Sequence, residues 1–180
     1  MLMHIRFSKL IILISCVLLI RCIVFVGHLW FDYRIGVPKF QIEADIRSGQ
    51  KINPDWTVNG SVSDTIAAFI SYPNDMTDHT FSVYVNRPGL SFGYFFRGGG
   101  DLTVGDTGIE EYMVEGYKER AFISVNKQQV ECLKIDDGTS IKVIDIDSNK
   151  PFAIVLPVNA GDIAFYDVDG NIVEFQKHQL

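Results

Sequence analysis

Residues 10–30 form one apolar run, Leu-Ile-Ile-Leu-Ile-Ser-Cys-Val-Leu-Leu-Ile-Arg-Cys-Ile-Val-Phe-Val-Gly-His-Leu-Trp, carrying one formal charge, Arg21. As a helix rising about 1.5 Å per residue it would span roughly 31 Å, the thickness of a bilayer's hydrocarbon core. No later stretch reaches this length without a charge or a turn residue. The run divides the chain into a short N-terminus (1–9), a span (10–30), a juxtamembrane linker (31–37) and one domain (38–180).

The flanks set the orientation. Arg6 and Lys9 precede the run with no acidic residue before them, and Asp32 and Arg34 follow it. That basic excess predicts a cytoplasmic N-terminus and an extracytoplasmic C-terminal domain on a single-pass cell-membrane protein. Trp30, Phe31 and Tyr33 fall where an aromatic belt would lie. No small-residue cleavage site follows the run, so it reads as an uncleaved signal anchor. Leu13-Ile-Ser-Cys16 resembles a lipoprotein cleavage box. The apolar run before it is shorter than the roughly 7–15 residues of an h-region, so lipidation at Cys16 is the minor reading. Arg21 lies mid-span, where an arginine costs about 2.5–3.5 kcal/mol. It is the candidate contact to a partner helix. The plainer alternative, and the favoured one, is that it snorkels.

Composition bounds the domain's partners. Four of the 16 basic and one of the 22 acidic residues precede Pro38, leaving 12 basic and 21 acidic residues and a net charge of −9. Such an acidic surface lacks the basic stripe that a nucleic-acid partner requires. Cys132 is the domain's one cysteine. An internal disulfide is impossible, and a small strand residue is the simplest reading.

From Pro38 onward, short apolar runs alternate with turn chemistry. Phe40, Ile42, Ala44 and Ile46 alternate with polar residues and predict a half-buried strand. Asn59-Gly60 predicts a hairpin turn, and Asn59-Gly-Ser is also a glycosylation sequon. Residues 66–72 read as a buried strand. Residues 81–85 and 91–97 follow as strands, the latter central, since it is apolar on both faces. The glycine-rich stretch 98–108 reads as a loop or weak edge. Residues 110–120 fit either a capped helix or a hairpin turning at Glu115-Gly116, and Gly116 favours the hairpin. Later strands flank Asp136-Asp-Gly-Thr139 and Asp169-Gly-Asn171, and 152–156 lies between two prolines. The expectation is an all-β domain, a single β-sandwich or Greek-key barrel-like fold of about ten short strands, preceded by one transmembrane helix.

The chemical signals are sparse. Arg97 and the glycines Gly98, Gly99 and Gly100 form the candidate ligand site, because glycine backbone N–H groups can cradle an anion beside a cation. The competing reading is an ordinary flexible loop, since no Gly-Lys-Ser/Thr follows. Asp145-Ile-Asp-Ser-Asn149 begins like an EF-hand but has Lys150 where glycine is needed and Leu156 where glutamate is needed. No metal or cofactor is therefore expected. His79 sits in a polar loop, and His178 in a tail expected to fray. No nucleophile elbow or zinc-protease motif occurs, so no catalytic residues are assigned. The reading is a binding or interaction module for an envelope protein, a glycan or a matrix polymer. The alternatives are a carboxylate-dependent envelope hydrolase, or a structural subunit of a membrane assembly.

Overall fold

The computed structural model describes residues 15–28, 35–87, 92–102 and 108–180. It is an all-β fold with few helices. Residues 15–28 form helix α1, exposed along its length. Among the described residues no helix is long and apolar enough to cross a membrane. Residues 10–14 and 29–30 of the expected span lie outside them.

A 3₁₀ turn, Lys39–Gln41, leads into α2, Ile42–Gly49. Among the described residues twelve strands follow, where about ten were expected. They are β1 (Thr57–Val62), β2 (Ile66–Tyr72), β3 (Thr80–Asn86), β4 (Tyr94–Gly100), β5 (Ile109–Met113) and β6 (Glu119–Ser124). Then come β7 (Val130–Asp136), β8 (Ile141–Asp145), β9 (Phe152–Pro157), β10 (Asp162–Asp167), β11 (Ile172–Val173) and β12 (Gln176–Gln179). They make three four-stranded sheets: sheet I in the order β1-β2-β3-β4, sheet II β12-β5-β6-β9 and sheet III β11-β10-β7-β8.

The layers are read from the side chains. Ile66, Ala68, Ile70, Phe81, Val83 and Val85 of sheet I pack on Tyr112, Ala121, Ile123 and Ala153 of sheet II. Phe122 and Phe152 of sheet II turn the other way, onto Leu133, Ile135 and Phe165 of sheet III. Ile42 and Ile46 of α2 cover the outer face of sheet I at Ala67, Tyr84 and Tyr94. Sheets I and II are therefore covered on both faces. That is why β2, β3 and β6 read as apolar runs rather than clean alternations. Each fully buried Ile or Phe contributes about 1.5–3 kcal/mol.

Four expectations are corrected. The segment around residues 39–46 is helical, not a strand. Ile42 and Ile46 are buried four residues apart, while Phe40 is 83% exposed. Period two and the helical i, i+4 spacing share those two positions, and Glu43 and Arg47 add an i, i+4 ion pair at 2.8 Å. Asn59-Gly60 lies inside β1, opposite Ile70 and Phe69. The turn falls later, where the Ser63 hydroxyl accepts the N–H groups of Thr65 and Ile66. β4 is an edge strand rather than a central one, and Gly98, Gly99 and Gly100 extend it along β3. His178 does not fray: β12 pairs in parallel with β5.

Other expectations match. Residues 66–72 form β2, and residues 110–120 form the β5–β6 hairpin with Gly116 at φ +84°. The Asp136–Thr139 and Asp169–Asn171 turns stand between β7 and β8 and between β10 and β11.

Candidate functional site

Arg97 is the extra residue of a β-bulge. Val83 pairs with Gly98 and Tyr84 with Phe96, so Arg97 has no partner on β3. Its side chain is exposed and lies near Tyr117. There Arg97 and Arg87 pull the phenol's pKa down against burial, which is the larger effect and raises it. Gly98 faces the Leu180 side chain, whereas a Cβ on Gly99 would press into the Phe81 carbonyl and the Gln50 amide. Gly100 has φ +136°, a conformation open to glycine. The four residues therefore separate: Gly99 and Gly100 line one cleft, and Arg97 and Gly98 do not.

That first cleft has a volume of about 540 Å³ and lies beside the end of α2. Gln50 builds one wall. Its amide donates to the Phe81 carbonyl and the Ser82 hydroxyl, and its carbonyl accepts from Thr80. Arg47 donates to the Asn53 and Trp56 carbonyls, pinning the turn that carries Trp56 to the rim. Phe96, 54% exposed, packs edge-on against Tyr84. The Tyr84 hydroxyl donates to Asp45 at 2.7 Å, and burial followed by that carboxylate holds its pKa far above normal. Lys51, Asp78, His79 and Asp101 are among the other lining residues.

A second cleft, about 750 Å³, lies where three sheet edges meet. Its lining includes Val58 on β1, Ile144 and Asp145 on β8, and Phe152 and Ile154 on β9. Each of these strands pairs with one neighbour only among the described residues. Asn59 donates to the Pro151 carbonyl at 3.0 Å and ties β1 to the start of β9. At the rim, Asp147 pairs with Lys150 at 2.8 Å, and that lysine holds the Asp147 carboxyl below its usual range.

Sequence reasoning missed a third constellation, two adjacent buried glutamates on β5. Glu110 is 3% exposed and Glu111 fully buried. As neighbours on a strand they point to opposite faces of sheet II. Glu110 pairs with His178, whose ring stacks on Tyr112, itself stacked on Phe81. Burial, then Glu110, pushes the Tyr112 phenol well above its ordinary pKa. Glu111 pairs with Arg120 at 2.9 Å, and Lys177 reaches it at 4.0 Å. The adjacent Glu-Glu of an otherwise apolar strand was the available signal, but only the placement of β12 supplies Lys177 and His178.

Arg21 is exposed midway along α1, and Cys132 lies half-buried on β7. Among the described residues no three His, Cys, Asp or Glu side chains gather as a metal-ligand set. Comparison with protein-family models, curated proteins and solved structures finds no match.

Proposed function

We propose that the chain is a membrane-anchored, extracytoplasmic interaction module, a β-sandwich-type domain that docks an extended segment of a partner protein along β9. The convergence of three unpaired strand edges on the second cleft supports this reading. On an antiparallel edge strand, every second residue turns its N–H and C=O away from its neighbour. Such an edge is a template for an added strand. Val58, Ile144 and Ile154, each partly exposed, offer apolar contacts for that strand's side chains. Asp147 is offset by Lys150, whereas Asp145 carries a charge with no ion-pair partner among the described residues. The occupant is accordingly apolar with a basic residue.

The apolar run 10–30 and its basic N-terminal flank support the anchor. The exposed apolar face of α1, with Leu19, Ile23 and Val26 each at least 63% accessible, needs lipid or a partner helix. Arg21 is the group proposed to meet such a helix. The hydrolase alternative has less support. It needs two carboxyls converging on one bond, one of them with a raised pKa. Glu110 and Glu111 diverge. Asp75, Asp137, Asp147 and Asp167 are all held below the ordinary range by hydrogen bonds from neighbouring residues.

The test is a photo-crosslinking amino acid placed at Ile144 or Val58, and at Ile172 as a distant control, in the full chain in its native membrane. Adducts to one partner from the two cleft positions, and not from Ile172, are expected. No adduct, or the same adduct from all three positions, overturns the reading.

A further inference from the structure

We infer that the first cleft, between the end of α2 and the glycine end of β4, binds a neutral oligosaccharide. The inference stands apart from strand docking at β9, because the two clefts share no lining residue.

Three features point to a sugar. Trp56 and Phe96 offer aromatic surface at the cleft, and the C–H face of a pyranose packs on an aromatic face while its hydroxyls stay polar. The backbone that carries Trp56 is held by Arg47, and the Phe96 ring by Tyr84. Binding therefore orders few side chains. Next, polar groups ring these platforms. Asp78 and Asp101 can accept charge-assisted hydrogen bonds from hydroxyls, and Lys51 and Asn53 can donate. Finally, nothing stands where a side chain on Gly100 would be, so a ligand can approach the β4 backbone closely there.

The charge balance selects among ligands. Asp78 and Asp101 outnumber Lys51 in the lining, a balance that disfavours uronates and phosphates. The mixed lining suits a ligand that is apolar on one face and hydroxylated at its edge, rather than an acyl chain. Gln50 is not a free donor here, since Phe81, Ser82 and Thr80 already occupy its amide. Its role is to hold the wall.

The test titrates the full chain, in zwitterionic micelles without sugar headgroups, with tetrasaccharides of β-1,4-glucose, α-1,4-glucose and β-1,4-N-acetylglucosamine. A galacturonate tetramer is the acidic control. At least one neutral tetramer is expected to bind with Kd of about 1 mM or tighter, with no binding of the acidic one. Trp56→Ala should weaken that binding about tenfold or more. Phe96→Ala and Asp101→Asn, both at exposed positions, should each weaken it while leaving the fold intact by circular dichroism. The inference is overturned if no neutral tetramer binds, if the acidic tetramer binds better, or if neither Phe96→Ala nor Asp101→Asn changes the affinity. Loss of sugar binding with crosslinking at Ile144 retained would overturn this inference alone.

Discussion

His178 on β12 meets Glu110 on β5 across a parallel strand pair, placing a half-exposed imidazole on a carboxylate that is 3% exposed. The second carboxylate oxygen of Glu110 has no hydrogen-bond partner among the described residues. Among the described residues the imidazole therefore supplies the carboxylate's one direct hydrogen bond, and β12 acts as its cover.

His178→Ala should accordingly destabilise the domain by about 1–3 kcal/mol, the cost of leaving a buried acceptor unsatisfied. Glu110→Gln in that background should recover part of the loss, because it removes the buried charge. Chemical denaturation of the four variants of this cycle reads the coupling. Additive effects would mean that the pair is not coupled.

On the opposite face, Arg120→Ala should cost about 3–5 kcal/mol, since it strands Glu111, a fully buried carboxylate. Replacing both, Glu111→Leu with Arg120→Met, should be close to neutral, because the desolvation of both charges disappears together. Lys177→Ala, at the exposed rim and 4.0 Å away, should change stability by at most about 1 kcal/mol. Thermal melts of the three variants give that order if the assignment is right.

The β7–β8 turn predicts an acid dependence. The Thr139 hydroxyl and the backbone N–H groups of Thr139 and Ser140 donate to Asp137 and lower its pKa from an ordinary 3.8 to about 2. A carboxylate depressed on folding contributes stability above its unfolded pKa and loses it as pH falls through the folded one. The turn's contribution should therefore be complete above about pH 4 and decline toward pH 2. Side-chain carbon shifts across that range should give an Asp137 midpoint near 2, and Asp137→Ala should remove this part of the pH dependence.

Gly60→Val tests the placement of Asn59-Gly60 inside β1. A Cβ at Gly60 would overlap the Ala68 carbonyl and the Phe69 ring. The substitution should cost about 1–3 kcal/mol through forced backbone shifts. A hairpin turn at that position would instead lie free of the neighbouring strand, and unchanged stability would restore the turn reading.

On the proposed uncleaved anchor, mass spectrometry of the purified chain should find residues 1–30 still attached to the domain, with no lipid on Cys16. A mature N-terminus beyond residue 30 would overturn the proposed anchor. A lipid mass on Cys16 would replace it with a lipoprotein linkage.

Local chemistry determined the strands in this chain. Asp137, Gly116 and Gly170 demand turns from their immediate neighbours alone, and the apolar runs between such turns are too short for most helices. That is why β2, the β5–β6 hairpin and the last third of the chain were legible. Tertiary structure decided what local pattern leaves ambiguous. Ile42 and Ile46 satisfy both a strand and a helix, and only the outer face of sheet I, with Ala67, Tyr84 and Tyr94, selects the helix. Asn59-Gly60 has turn chemistry, yet β1 requires that glycine for its close approach to Ala68 and Phe69. The sites divide in the same way. Gly99 and Gly100 stood out in the sequence, with Asp101 beside them, but the approach of Asp78 depends on the pairing of β3 with β4 and that of Trp56 on the chain leading out of α2. Glu110 and His178 are 68 residues apart, and only the parallel return of the chain beside β5 brings them together. Long-range pairing of this kind is set by which edges and faces remain to be covered, a property of the assembled sheets that no local window of residues contains.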